Sequence, residues 1–119
     1  MLIRRLQDCQ EIVAGDSTIL REVLRPEPDG LSIRYSLAHA RLPAGQASQR
    51  HRLSSSEVYY VLEGSGRMHI DDEQEEIGPG DCVYIPPSAV QYVESTGSGD
   101  LVFICIVDPA WRKIDEEIL

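Results

Sequence analysis

Residues 45–64 read Gly45-Gln-Ala-Ser-Gln-Arg-His51-Arg-Leu53-Ser-Ser-Ser-Glu57-Val-Tyr-Tyr-Val-Leu-Glu-Gly64, and this stretch decides the fold. Pro43-Ala-Gly45 interrupts the chain, and a polar run from Gln46 to Arg50 leads into His51. From Glu57 to Glu63 the residues are dense in Val, Tyr and Leu, which suits a β-strand; Gly64-Ser-Gly66 then turns the chain. Side chains alternate along a strand, so Glu57, Tyr59 and Val61 share one face. A carboxylate on an apolar face needs a partner, because burying a lone charge is costly. A divalent metal is one such partner; an ion pair with Arg50 or Arg52 is another.

Outward from this stretch the period of two continues. Leu31, Ile33, Tyr35, Leu37 and His39 fall on one side of Leu31–Leu42 and are expected to face the interior, with Ser32, Arg34 and Ser36 opposite. Downstream, Arg67–Ile70, Glu75–Ile77, Asp81–Ile85, Val90–Glu94 and Leu101–Val107 read as short strands. Asp71-Asp72-Glu73, Gly78-Pro79-Gly80 and Thr96–Asp100 read as turns between them. His69 alternates away from Met68 and Ile70, which predicts a solvated position. Many short strands at near-regular spacing predict an all-β sandwich or barrel, which also limits free strand edges. Upstream, Ser17–Leu24 reads as a short edge strand and Pro26–Gly30 as a loop. Downstream, Asp108-Pro109 resembles an N-cap followed by proline, and Trp111, Ile114 and Ile118 fall at helical spacing. The organisation expected is an extension over 1–30, a barrel over 31–107 and a short helical tail over 108–119.

Composition narrows the function classes. With 119 residues and 42% hydrophobic content the chain suits one domain with a core of its own. Eleven basic against twenty acidic residues leave a net charge of −9. The basic residues form no cluster beyond Arg4-Arg5 and Arg112-Lys113, so nucleic acid and anionic membrane surfaces are poor partners. Cys9, Cys82 and Cys105 are odd in number and scattered, which fits neither a disulfide framework nor a zinc knuckle. Cys105, in Leu101–Val107, reads as a small buried hydrophobe. The N-terminal residues lack the apolar core of a signal peptide, and no apolar run approaches the roughly 20 residues of a membrane span. A cytoplasmic setting is the expectation.

The quoted stretch, with its spacing of Gly45, five residues, His51, Leu53, three residues, Glu57, six residues and Gly64, resembles the first motif of the cupin superfamily; Leu53 stands where that motif carries a second histidine. Gly80-Asp81, Ile85-Pro86-Pro87-Ser88, Gln91 and Ser95 are similar to the second motif. There Ser88 replaces a glycine, Gln91 a histidine and Ser95 an asparagine. The likeness covers roughly residues 31–107. It is strongest toward small single-domain cupins of the mannose-6-phosphate-isomerase-like type, through Glu57–Gly64 and Ile106–Trp111. It implies a jelly-roll barrel, RmlC-like in architecture.

The resemblance also implies a metal inside the barrel: iron, manganese, nickel, copper or zinc, a set suited to imidazole and carboxylate together. Carried over residue by residue, it places His51, Glu57 and Gln91 as ligands. His39 is a fourth candidate from its face of the strand, and Tyr59 a candidate pocket wall. Two function classes follow. One is a metal-dependent enzyme, an isomerase or an oxygenase, acting on a sugar or small polar metabolite. The other is a metal-free binding or sensor module, since Leu53 offers no donor and Gln91 a weaker one. A homodimer is the expected assembly.

Overall fold

Alternation of buried and outward-facing side chains along Ser56–Glu63 and Leu101–Asp108 builds the centre of the protein. In the computed structural model, which describes residues 1–119, eleven strands follow in order. They are β1 (Glu11–Val13), β2 (Ile19–Leu24), β3 (Ser36–Leu42), β4 (His51–Leu53), β5 (Ser56–Glu63), β6 (Gly66–Ile70), β7 (Glu73–Ile77), β8 (Cys82–Ile85), β9 (Gln91–Ser95), β10 (Leu101–Asp108) and β11 (Glu116–Ile118). They form two antiparallel sheets, β1-β2-β3-β10-β5-β8 and β11-β4-β9-β6-β7. Phe103, Leu42, Val61, Ile85, Val93 and Leu101 are almost wholly buried at the core. An all-β barrel is therefore what the sequence builds, and no helix is long and apolar enough to cross a membrane.

The two motif-bearing segments are tied by backbone. Gly45 N–H donates to Ser95 O (3.0 Å), Ser95 N–H to Gln46 O (2.8 Å) and Ser88 N–H to Leu53 O (2.8 Å). Ser88 has a φ of 66°, in the left-handed region that glycine adopts most readily. At Gly64 (φ 83°) a Cβ would overlap the carbonyl of Asp100, so this turn admits no side chain.

Three expectations are corrected. The tail is not a helix: a single 3₁₀ turn at Lys113–Asp115 leads into β11, which pairs with β4. Ser54 N–H donates to Asp115 O (3.0 Å) and Leu119 N–H to Arg50 O (2.9 Å). Eleven residues make a marginal helix, and an open sheet edge offers their backbone better partners. Asp108 ends β10 and faces Arg34 rather than capping a helix. The phase of β3 is also shifted. The strand begins only at Ser36, and Ala40 and Leu42 point inward, which turns His39 outward between Ile104 and Arg21. Residues 31–35, where the larger side chains alternate, lie outside the strand. The inner face instead uses alanines, which leave space. Finally, β2 lies inside its sheet, and the edge strand is β1.

His69 does sit on the outer face of its sheet, as expected, but half-buried. Its ring stacks on Tyr92 (centroids 4.0 Å apart, planes 7° apart), and Nε2 lies 2.8 Å from Glu94 Oε2.

Candidate functional site

Small residues on β3 and one end of the barrel leave a cavity of about 910 Å³. Ser36, Ala38 and Ala40 form one wall, and Pro26–Pro28 and Pro109–Arg112 frame its rim. His51, Glu57, Tyr59, Phe103 and Cys105 line its interior.

His51 opens β4, opposite Gln91 of β9 on one side and Ile118 of β11 on the other. Its side chain is 3% exposed. Nδ1 lies 2.7 Å from the carbonyl of Gln49. A carbonyl only accepts, so Nδ1 carries a proton and donates it to Gln49. Nε2 has no hydrogen-bond partner; Asp16 Oδ2 stands 3.6 Å away. Asp16 is held by its own turn, with Oδ1 accepting from Thr18 N (3.1 Å) and Thr18 Oγ1 (2.6 Å).

Glu57 lies on β5 opposite Val107 and Ile85. Oε1 accepts from Gln91 Nε2 (2.8 Å) and Oε2 from the Cys105 thiol (2.7 Å). Tyr59 donates its hydroxyl to Gln91 Oε1 (3.2 Å), and its ring packs on Phe103 with centroids 4.3 Å apart. Burial raises Glu57 above the ordinary carboxylate range, against the lowering effect of the Cys105 and Gln91 hydrogen bonds and of His51. Burial, then the neighbouring Glu57, pushes the Cys105 thiol well up, so it stays protonated and able to donate. Tyr59 is raised by the same two causes.

Of the residues expected from sequence, His51, Glu57 and Tyr59 meet at the cavity. Gln91 is buried behind them and braces Glu57 and Tyr59. His39 lies on the other side of the sheet. Sequence reading missed Asp16, Cys105 and Glu116. The Asp16-Ser-Thr18 pattern, a side chain bonding its own backbone two residues on, was a usable signal for a rigid turn. Nothing local marked Glu116, which reaches the cavity only because β11 pairs with β4.

As these side chains stand they do not fit a resident transition metal. Leu53, 2% exposed, occupies the position where the motif carries its second histidine. Gln91 turns its amide nitrogen, not its oxygen, toward Glu57, and its oxygen accepts from Tyr59. Both Glu57 oxygens are engaged, and no three His, Cys, Asp or Glu side chains converge as a coordination sphere.

Comparison with known proteins agrees with the architecture. Residues 38–107 match the Cupin domain family. The uncharacterized protein MJ1618 of Methanocaldococcus jannaschii is 37% identical over 108 residues, covering 90% of this chain and 86% of that one. The oxalate-binding protein of Thermotoga maritima is 30% identical over 71 residues, 59% of each chain. The crystal structure of a predicted oxalate decarboxylase from Thermotoga maritima superposes with a TM-score of 0.80 at 21% identity, covering 91% of this chain and 99% of that one, a likeness of fold. With both motif spacings, the barrel and the family match in agreement, the chain belongs to the cupin domain family.

Proposed function

We propose that this cupin is a binding or sensor module that holds a small polar metabolite in its barrel without a resident metal ion. One observation carries the reading. Buried His51 lines a cavity of about 910 Å³ with Asp16 Oδ2 3.6 Å from its Nε2, while the Glu57 oxygens that would complete a metal site are already bonded by Gln91 and Cys105. Tyr59, Phe103 and Val107 line the cavity beside Asp16, His51 and Glu57, a mixed lining that suits a small polar guest. The name of the Thermotoga maritima relative, an oxalate-binding protein, supports binding rather than turnover as the function class.

Elemental analysis before and after a chelator wash tests this, together with a thermal-shift screen of small polar metabolites on wild type and His51→Ala. Expected are substoichiometric metal, no change in melting temperature on chelation, and a guest that stabilises wild type but not the variant. One equivalent of metal, lost in His51→Ala, overturns it.

The same reading keeps a second copy of the chain as partner. Val58, Tyr60, Leu62, Tyr84, Ile104 and Ile106 crowd the outer face of β10-β5-β8 without a charge among them, in a chain of net charge −9. Such a patch suits a symmetric dimer, because like charges elsewhere stay apart.

A further inference from the structure

The sheet register fixes what stands beside what on the inner face of β1-β2-β3-β10-β5-β8. Ala40 of β3 lies between Leu20 of β2 and Phe103 of β10, and Ala38 lies between Glu22 and Cys105. One strand further on, Tyr59 of β5 stands beside Cys105, and its ring packs on Phe103 with centroids 4.3 Å apart. All of these residues line the cavity. Neighbouring strands lie about 4.8 Å apart, so β2 and β10 stand about 10 Å from each other across β3. The two alanines between them carry a single methyl group each. A trough therefore runs along β3, with Leu20 as one wall and the paired rings of Phe103 and Tyr59 as the other.

The rim repeats this chemistry from different segments. Trp111 N–H donates to Ser36 Oγ at the start of β3 (3.0 Å), and its indole N–H to Glu116 (3.3 Å). These bonds hold a large ring, 41% exposed, at the mouth, beside Pro26, Pro28 and Pro109. The volume of about 910 Å³ is room for about thirty waters at their liquid volume. A guest of two or three carbons would leave most of the aromatic wall wet, whereas a ring displaces that water from apolar surface. Charge is not what the lining selects, since Asp16, Glu57 and Glu116 share it with Arg25, Arg34 and Arg112.

We infer that the guest carries a planar six-membered ring, seated on Ala38 and Ala40 between Leu20 and the Phe103–Tyr59 pair, with its polar substituent toward His51 and Glu57. This rests on the reading of the barrel as a small-molecule pocket and goes further by assigning the carbon body of the guest. Selection falls on the ring, and the mixed polar lining leaves the sign of the substituent open.

The test uses three pairs of probes, each exchanging a methyl group for a phenyl ring at a fixed polar head: acetate and benzoate, acetamide and benzamide, ethylamine and benzylamine. Calorimetry on the full chain gives the affinities. At least one phenyl probe should saturate the protein and bind about tenfold or more tighter than its methyl partner. Ala38→Leu fills the trough. It should weaken that phenyl probe about tenfold or more, leave the methyl partner unchanged and keep the circular dichroism of the wild type. Nuclear Overhauser contacts from the ring protons to the methyl groups of Ala38 and Ala40 in the wild type report the same seat without any substitution. A methyl probe that binds as tightly as its phenyl partner overturns the ring assignment and leaves the pocket reading standing. A phenyl probe indifferent to a folded Ala38→Leu, or lacking those contacts, does the same. No binding by any of the six probes to the folded protein overturns both.

Discussion

Replacing Gln91 with leucine tests whether the amide bracing the cavity floor is structural cement or an incidental contact. Gln91 is 1% exposed, and its side chain gives one hydrogen bond to Glu57 and takes one from Tyr59. Leucine nearly fills the same volume, so no sizeable void opens. It offers neither donor nor acceptor, so Glu57 Oε1 and the Tyr59 hydroxyl lose their partner together. Each orphaned buried group costs about 1–3 kcal/mol. Glu57 borders the cavity and can be hydrated there, which trims its share, so the loss should be about 2–4 kcal/mol. Urea titration followed by Trp111 emission and far-ultraviolet circular dichroism should show a lower midpoint at unchanged slope. Tyr59→Phe alone should cost about 1 kcal/mol. The double variant should lose less than the sum by about 1 kcal/mol, because the second change removes a group the first had orphaned. A Gln91→Leu protein within about 0.5 kcal/mol of wild type, or strict additivity, would refute the reasoning.

Three further outcomes are expected. Burial raises the Glu57 carboxyl above its ordinary value of 4.5, so the folded state holds that proton more tightly than the unfolded chain. Its contribution is complete below that ordinary value and is lost as pH rises through the folded value. The melting temperature of Glu57→Gln should therefore gain on wild type as pH rises above the ordinary carboxylate value, and a constant gap would contradict the assignment. Gly64→Ala meets both a φ of 83° and the Asp100 carbonyl, whereas Gly45→Ala meets a φ of 78° and open space. Denaturation should show Gly64→Ala losing clearly more than the roughly 1 kcal/mol expected at Gly45, and the reverse order would be inconsistent with this turn geometry. Light scattering should give about twice the chain mass of 13.3 kDa, falling to one chain in Tyr60→Glu; a wild-type monomer rules out the outer-face dimer.

Where the sequence was legible, two independent signals agreed. Glu57–Glu63 and Leu101–Val107 are apolar runs bounded by turn residues, and the strands at Ser56–Glu63 and Leu101–Asp108 match them within a residue. The spacing of His51 and Glu57 placed both at the cavity because alternation and turn position fix where those strands point. His39 was misplaced because its strand starts at Ser36, and a one-residue error in phase moves a side chain through the sheet. The tail was misread because helical spacing in eleven residues is weak evidence against an unpaired strand edge far away in sequence. Asp16 and Glu116 were missed for a related reason. Each owes its place to pairing between distant segments, and a local pattern carries no record of that.

The groups around the cavity come from positions 16, 51, 57, 105 and 116, on five separate pieces of backbone that meet only in the assembled barrel. An unfolded chain has no version of this arrangement and hence no affinity for the guest. Occupancy and folding are thus one linked equilibrium: a ligand at a hundredfold excess over its dissociation constant adds about 2.7 kcal/mol to stability, whatever its chemistry. A melting curve can therefore register the natural guest in a crude metabolite fraction before its identity is known.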